Sequence, residues 1–264
     1  MSDVLPGGRF SRPVRKGNTV ERKLGPGHIG VHAVLRHLEE KQFSLSPRLL
    51  GITPDGEREV LSFIEGDTGY PPISDEIRTD EALHNVGQAI RCLHDATADL
   101  ARLPSLSASA FSPLDISVPV EIDCIGHGDL APWNIVFAGT SVAGFIDWDA
   151  AGPSSRAWDL AYAAFQFVPM HRPHPVRGLE DWGWPNVPDR RRRLRLLCEA
   201  YGDGVSPGKL VDLAIVRLVS MAAHMESQIS AGNADFDVHR AEGHPSGYRA
   251  AATYVIEQHE SWAE

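Results

Sequence analysis

The side chains that could do chemistry are concentrated in two short segments of the chain, HGDLAPWN and FIDWD. The first contains His127, Asp129 and Asn134, and the second contains Asp147 and Asp149. Carboxylates can accept protons or bind metal ions, and an amide oxygen adds a neutral metal ligand. These residue types therefore indicate acid–base chemistry beside a metal ion.

Two apolar runs, residues 135–137 and 142–146, predict a β-hairpin between the two segments. Its strands run antiparallel, so the start of the first lies beside the end of the second. Asn134 is therefore expected beside Asp147. Their oxygens would form the hard, oxygen-rich site that Mg²⁺ accepts, and Asp129 could take a proton from a hydroxyl held near that metal.

Each residue alone has a simpler interpretation. A single Asp or Asn in a loop is usually a turn or cap residue, and a single His is usually a hydrogen-bonded structural residue. The ordered set is more specific: H-x-D-x4-N is followed by D-x-D, whose first carboxylate comes 13 residues after Asn134. Strand patterning between the two parts argues against a chance arrangement.

Both segments resemble the catalytic and metal-binding loops of the aminoglycoside phosphotransferase superfamily. This superfamily shares the protein-kinase-like fold with choline and homoserine kinases. Further similar segments follow in the expected order over residues 4–168: LPGG, GNTVERKLGP, VHAVLRHLEE, EVLSFIEG, CLHDAT and AWDLAYA. The last hundred or so residues carry no matching motif.

The resemblance implies a role for each polar residue of the two loops. Asp129 would be the catalytic base that orients and deprotonates the substrate hydroxyl, and His127 would brace its loop. Asn134 and Asp147 would hold the Mg²⁺ ions that bridge the nucleotide phosphates, with Asp149 supporting the metal site. Farther along the chain, the Asp of AWDLA, Asp159, would accept backbone amides of the catalytic loop.

The resemblance also implies a nucleotide site near the amino terminus. Arg22 or Lys23 would reach the α- and β-phosphates from a strand, and LPGG would cover the phosphates. A hinge would pack against adenine or guanine, and its residues are Leu61, Ser62, Phe63 and Ile64. The expected co-substrate is ATP or GTP, together with Mg²⁺.

Two features of this first part depart from the family pattern. The turn at Gly7 and Gly8 is shorter than a full GxGxxG loop. His32 stands where kinases usually place a helix glutamate that pairs with the strand cation. Arg22 would then need another partner, such as Glu21 or an acid of the carboxyl-terminal part.

A third departure concerns the acceptor. Ala131 occupies the position at which Ser/Thr protein kinases carry a lysine that contacts the γ-phosphate. The segment between Asp149 and the next predicted helix is also too short for an activation segment that binds a protein. A small-molecule acceptor is therefore favoured over a protein kinase.

The elements that position these residues predict an α+β protein. Residues 1–65 would form an amino-terminal nucleotide-binding lobe, a small antiparallel sheet with one helix. Residues 66–264 would form a larger, mainly helical catalytic and substrate-binding lobe. Strands are predicted within 13–24 and at 60–64, and helices at 29–41, 80–100, 207–229 and 246–262. With the resemblance, this pattern implies the two-lobed protein-kinase-like fold.

The charge narrows the range of partners. The chain has 264 residues, with 25 Lys+Arg against 35 Asp+Glu, and its formal charge of -10 argues against nucleic-acid binding. Residues 67–169 carry 4 basic and 14 acidic groups. An acidic cleft would favour a cationic acceptor; the simpler interpretation is that the acids lie on solvated helix faces. Candidate contacts are Glu226, Asp235, Asp237 and Glu257, with Trp182 or Trp184 stacking on the cation.

Other sequence features indicate the compartment. The three cysteines contain no CxxC pair, and the chain shows neither a signal peptide nor an apolar run long enough to span a membrane. A cytoplasmic location without membrane or protein partners is expected. The run Arg190–Arg193 is interpreted as the exposed start of a helix.

The sequence thus predicts a phosphotransferase that moves the γ-phosphate of ATP or GTP to a hydroxyl of a small molecule. Aminoglycoside-like, choline-like and other metabolites are open as acceptors. The alternative is a catalytically silent kinase-like module that binds a nucleotide or another ligand, which His32 and the short glycine turn would favour.

Overall fold

The computed structural model describes residues 2–5, 12–102, 108–111, 121–172, 182–202 and 204–264. Its amino-terminal part is a five-stranded antiparallel sheet with one helix. The strands are β1 (Ser2–Val4), β2 (Val14–Lys16), β3 (Thr19–Lys23), β4 (Leu49–Ile52) and β5 (Arg58–Ser62), and the helix is α1 (His28–Glu40). The strand order β1-β2-β3-β5-β4 places β3 at the centre, directly beside β5.

The predicted hairpin within residues 13–24 is confirmed. Strands β2 and β3 turn at Gly17, whose φ of +63° lies in the left-handed region that glycine adopts without strain. The predicted strand at 60–64 is displaced: β5 ends at Ser62, and the Phe63 N–H donates instead to the Asn18 carbonyl at 2.8 Å.

Helix α1 packs one face into the core. Val31, Val34, Leu35 and Leu38 are all buried, and their spacing of three and four residues places them on one side of the helix. His32 is also buried between them. A titratable side chain on an apolar face needs a polar partner, and this partner lies in the candidate site.

The rest of the chain contains short strands and six helices among the described residues. The strands are β6 (Asp67–Thr68), β7 (Cys124–Gly126), β8 (Ile135–Ala138), β9 (Ser141–Phe145) and β10 (Gly152–Ser154). The helices are α2 (Asp80–Thr97), α3 (Arg156–Phe167), α4 (Arg190–Tyr201), α5 (Pro207–Ser230), α6 (Asp237–Ala241) and α7 (His244–Ala263). Helix α5 packs against α3 and α7, and α2 packs against α4.

Side-chain caps fix where these helices begin. Helix α5 starts as predicted, with the Ser206 hydroxyl accepting the Lys209 N–H at 3.3 Å and Pro207 in the first turn. Thr79 caps α2 and Ser155 caps α3 in the same way. Ser155 thereby fixes the start of the helix that carries Asp159.

The interpretation of Arg190–Arg193 as an exposed helix start is wrong for two of its members. Arg190 and Arg193 are only 5% and 4% exposed. Arg190 donates to the carbonyls of Pro169 and His171 at 2.8 and 2.7 Å, and Arg193 donates to the Phe167 carbonyl at 3.1 Å. These carbonyls lie at and just beyond the carboxyl end of α3, where unpaired oxygens and the helix dipole favour a cation.

Candidate active site

The β8–β9 hairpin brings Asn134 and Asp147 to one end. Ile135 pairs with Phe145 across the two strands, and the Ile146 N–H donates to the Asn134 carbonyl at 2.9 Å. The predicted adjacency of Asn134 and Asp147 along the hairpin is confirmed. Asp147 itself has a φ of +62°, an uncommon backbone conformation that Asp tolerates better than most residues.

Buried aromatic packing holds the turn that carries the two carboxylates. Trp148, between Asp147 and Asp149, is buried, and its indole N–H donates to the Phe145 carbonyl at 3.0 Å. The His127 ring lies 4.8 Å from the Trp148 ring, centroid to centroid. The tryptophan of FIDWD therefore anchors the turn while its acidic neighbours stay partly exposed.

His127 connects the loop HGDLAPWN, which is the predicted catalytic loop, to the end of β9. Its Nε2 donates to the Ile146 carbonyl at 2.9 Å, and its Nδ1 accepts the Asp129 N–H at 3.3 Å. Burial lowers the pKa of His127, which favours the neutral tautomer that these two bonds require. The amide of Asn134 donates to the Asp129 carboxylate at 2.7 Å and so orients it.

Asp159 supports the same loop from α3. Its carboxylate accepts the backbone N–H groups of His127 and Gly128 at 2.8 and 2.9 Å, and His94 donates to it at 3.1 Å. Burial alone would raise the pKa of Asp159, but the His94 hydrogen bond and nearby positive charges lower it to about 2. Asp159 is an ionised acceptor of backbone amides, as the resemblance implied.

Arg22 connects the amino-terminal sheet to the carboxylates of Asp147 and Asp149. Its Nη1 donates to Asp147 at 3.0 Å and its Nη2 lies 2.8 Å from the Asp149 carboxylate. Lys23, the other candidate, is exposed, because neighbouring residues of a strand point to opposite faces. Asp147 and Asp149 belong to the carboxyl-terminal part, which was one of the two predicted sources of a partner for Arg22. The other, Glu21, pairs with Lys16 instead, at 2.7 Å.

Sequence reasoning missed Glu59, a further partner of Arg22. Glu59 lies directly opposite Arg22 in the β3–β5 register and accepts a hydrogen bond from its Nε. The other Glu59 oxygen lies 2.6 Å from Nε2 of His32. The available signal was a lone acid, Glu59, within the apolar strand pattern of β5.

Arg217 of α5 was also missed. It is 4% exposed, donates to the Gly128 carbonyl and lies over the rings of Trp158 and Tyr162, 5.3 and 4.9 Å from their centroids. Its Nε has no hydrogen-bond partner among the described residues. Arg217 falls on the buried face of α5 with Leu210 and Leu218, so the helix period was the signal that could have found it.

The environment of Asp129 shifts its titration. Burial and the nearby charge of Asp147 raise the pKa of Asp129 to about 6, against the opposing effects of Asn134 and Arg217. A carboxylate with a pKa in this range can exchange a proton near neutral pH, which suits a general base.

The donor atoms fit a hard divalent cation. The Asn134 nitrogen is engaged by Asp129, which leaves its Oδ1 as an acceptor, and Asp147 binds Arg22 through Oδ1 alone, which leaves Oδ2. Among the described residues, no group of three or more His, Cys, Asp or Glu side chains is arranged to hold a metal ion. Mg²⁺ commonly binds to one or two protein oxygens and completes its shell with water and phosphate oxygens.

The predicted hinge joins β5 to the helical part. Leu61 is buried, the Ser62 hydroxyl accepts the Arg48 N–H at 2.8 Å, and the Phe63 ring stacks on the Arg15 guanidinium at 3.6 Å. A cavity of about 440 Å³ opens beside Ser62, Phe63 and Ile64. The side chains of the catalytic loop do not line it. Of the predicted phosphate cover LPGG, the last three residues lie outside the described part of the chain.

Most predicted acceptor contacts are paired with arginines. Glu226 binds Arg249, Asp237 binds Arg240 and Glu257 binds Arg172, each as an ion pair. The fourth, Asp235, is exposed, and its backbone N–H donates to Asn233.

The two candidate tryptophans differ. Trp184 is buried beneath Arg193, whereas Trp182 is partly exposed and lies 5.8 Å from the ring of Trp133 in the catalytic loop. His171 stacks on Trp182 at 4.9 Å. An aromatic surface therefore adjoins the loop that carries Asp129.

In sequence, residues 114–196 match the model of the phosphotransferase enzyme family. The chain is also 33% identical over 223 residues to the trifolitoxin immunity protein of Rhizobium leguminosarum bv. trifolii. This match covers 83% of this chain and 80% of the relative.

In structure, the chain is similar to a choline/ethanolamine kinase family protein from Mesorhizobium loti, with a TM-score of 0.63 and 19% identity over 98% of this chain and 89% of the other. The GDP complex of aminoglycoside 2'-phosphotransferase-IIIa gives a TM-score of 0.56 with 13% identity over 99% and 92% of the two chains. These similarities confirm the predicted two-lobed, protein-kinase-like α+β fold.

Proposed function

Because the chain belongs to the phosphotransferase enzyme family, as the sequence motifs predicted, we propose that it transfers the γ-phosphoryl group of ATP or GTP to a hydroxyl of a small molecule. The observation that carries this proposal is the meeting of four side chains at one end of the β8–β9 hairpin. Asn134 orients the Asp129 carboxylate at 2.7 Å, and Arg22 reaches Asp147 beside them at 3.0 Å.

Asp129 acts as the general base. The acceptor hydroxyl oxygen attacks the γ-phosphorus, Asp129 takes the hydroxyl proton, and the bond between the γ-phosphorus and the bridging oxygen of the β-phosphate breaks. The products are a phosphate ester and a nucleoside diphosphate. His127 and Asp159 keep the loop in place through their hydrogen bonds to its backbone and to Ile146.

Asn134 Oδ1 and Asp147 Oδ2 would hold Mg²⁺, with Asp149 at the edge of the site. When bound, the ion would neutralise negative charge on the β- and γ-phosphates. Arg22 would approach the phosphates from β3, and the hinge residues Leu61–Ile64 would pack against the base. A GDP complex of a protein with the same fold supports a nucleotide co-substrate.

The acceptor is proposed to be a hydroxylated cation that stacks on the aromatic surface beside the loop. Trp133 and Trp182 can contribute their ring faces, and the excess of acids in residues 67–169 attracts positive charge. The arginine-paired Glu226, Asp237 and Glu257 are no longer needed as contacts. The cytoplasm, where ATP and GTP are abundant, is the proposed location.

A second candidate function follows from the similarity to the trifolitoxin immunity protein. Its name describes immunity to trifolitoxin, and the similarity spans most of both chains. Protection would then consist of phosphorylating a toxin hydroxyl at the same site. The silent-module alternative is weakened, because Arg22 has the buried counter-ion Glu59 even though α1 carries His32.

An acceptor screen tests the proposed function. The protein is incubated with ATP or GTP, Mg²⁺ and a panel of hydroxylated amines, matched neutral alcohols and the toxin, and nucleoside diphosphate is measured. We expect acceptor-dependent release above the hydrolysis seen without acceptor, with the amines preferred. The absence of acceptor-dependent release with every member of the panel would contradict the proposal and favour the silent module.

A further inference from the structure

The guanidinium of Arg22 is fixed from three directions. Its Nη1 and Nη2 face Asp147 and Asp149 at 3.0 and 2.8 Å, and its Nε donates to Glu59. Arg22 is 6% exposed, so its side chain has little room to turn. Because each of its three nitrogens has a carboxylate partner, the planar guanidinium is held in one orientation. In that orientation Arg22 joins the amino-terminal sheet to Asp147 and Asp149.

Glu59 is itself fixed on both oxygens. It is 2% exposed, with Arg22 on one oxygen and His32 on the other at 2.6 Å. Burial would raise the pKa of Glu59, but the His32 hydrogen bond and the Arg22 charge outweigh burial and keep the pKa below its ordinary value. Glu59 is therefore a buried anion that depends on two partners.

This arrangement differs from the usual kinase pair, in which the strand cation binds a glutamate of the helix. Here the glutamate has moved to β5, directly opposite Arg22 in the sheet register. The backbone ladder between β3 and β5 fixes this pair, and α1 contributes only the His32 hydrogen bond. His32 therefore acts on Arg22 through Glu59.

We propose that Glu59 and His32 are positioning residues that hold Arg22 in the orientation in which Asp147 and Asp149 can receive a magnesium nucleotide. The inference rests on the proposed function and deepens it at the nucleotide site. Without the Glu59 charge, Arg22 has only Asp147 and Asp149 as anionic partners. It would then be drawn more strongly onto the carboxylate expected to bind the metal.

Thermal unfolding of the full chain tests the proposal. ADP and GDP are each titrated in the presence of Mg²⁺ and in the presence of EDTA, and affinity is taken from the ligand-dependent rise in melting temperature. The variants are Glu59→Gln, His32→Leu and His32→Gln. The matched control is His37→Gln on the same helix, since His37 contacts Ala96 and Asp99 away from the site.

We expect Glu59→Gln and His32→Leu each to weaken Mg²⁺-dependent nucleotide affinity about tenfold. Glu59→Gln removes the buried charge, and His32→Leu leaves one Glu59 oxygen unpaired. His32→Gln should stay within about threefold of wild type, because its amide can donate to the same oxygen. Affinity in EDTA should change little in all variants, and His37→Gln should match wild type throughout.

Wild-type Mg²⁺ dependence in both Glu59→Gln and His32→Leu would overturn the inference, even if their ligand-free melting temperatures fell, since that pattern indicates a structural role only. If His32→Leu does not fold, the nearly isosteric Glu59→Gln decides the outcome. Wild-type protein that binds neither nucleotide would contradict the proposed function itself, and the inference with it.

Discussion

At the scale of single residues, Asp129 is the group on which the proposed chemistry depends. Asn134 orients its carboxylate at 2.7 Å, the backbone around it is bound by Asp159, and Arg217 holds the preceding carbonyl of Gly128. Burial and Asp147 raise the pKa of Asp129 to about 6. The Asp129 carboxylate can therefore exchange a proton close to neutral pH, as the proposed general base must.

The raised pKa of Asp129 predicts the pH dependence of turnover. A general base works when deprotonated, so kcat/KM should increase as pH rises through about 6 and level off above it. A rate profile between pH 5 and 8, at saturating Mg²⁺, measures this limb. A profile that is flat below pH 6 would contradict the assignment of Asp129 as the titrating base.

Arg217 opposes the shift in Asp129, and this predicts the effect of its removal. Its positive charge lowers the pKa of Asp129, so Arg217→Met should move the acidic limb to higher pH. Loss of the bond to Gly128 should also destabilise the fold by about 1 to 3 kcal/mol. Denaturant unfolding and the pH profile measure the two effects. An unmoved limb would show that Arg217 acts on packing alone.

At the scale of elements, local patterns predicted most of the architecture. Apolar periodicity predicted the long helices, and the two apolar runs at 135–137 and 142–146 predicted the β8–β9 hairpin with its adjacent Asn134 and Asp147. The Arg22–Glu59 pair was not predictable in the same way. It depends on the register between two strands and joins residues 37 positions apart in sequence, which local patterning does not specify.

The sequence also does not show directly whether an arginine is buried or exposed. Its long apolar stem can be buried while its charged end binds carbonyls, so a run of arginines can include both surface and core positions. In α4, Arg190 and Arg193 face the end of α3, whereas Arg191 is partly exposed and Arg192 is exposed. The helical period divides the run, but charge alone suggested that all four residues were at the surface.

This division predicts different costs for two neighbouring arginines. Arg193→Ala should destabilise the protein by about 3 kcal/mol, because it leaves carbonyls of Arg78 and Phe167 without their donor in a buried site. Arg191→Ala is the matched control. It removes a more exposed ion pair to Glu264 and should cost less than about 1 kcal/mol. Urea unfolding of both variants measures the difference, and equal costs would contradict the capping role.

At the scale of the whole molecule, the net charge of -10 is unevenly distributed. The amino-terminal sheet contributes Arg22 to the site, and the helical part contributes the carboxylates. The 4 basic and 14 acidic groups of residues 67–169 indicated the acidic part of the chain, because the charge of a segment depends only on its composition. Composition did not predict which acids are neutralised, since ion pairs such as Glu226–Arg249 join residues whose proximity depends on how α5 and α7 pack.

The comparison of wild-type protein with Asp129→Asn tests the central claim most directly. Nucleoside diphosphate release with an acceptor is measured beside Mg²⁺-nucleotide binding by thermal shift. We predict that Asp129→Asn lowers turnover by a factor of about 100 to 10,000, the usual contribution of a general base, while nucleotide affinity is largely preserved. Turnover close to wild type in a variant that still binds nucleotide would contradict the account.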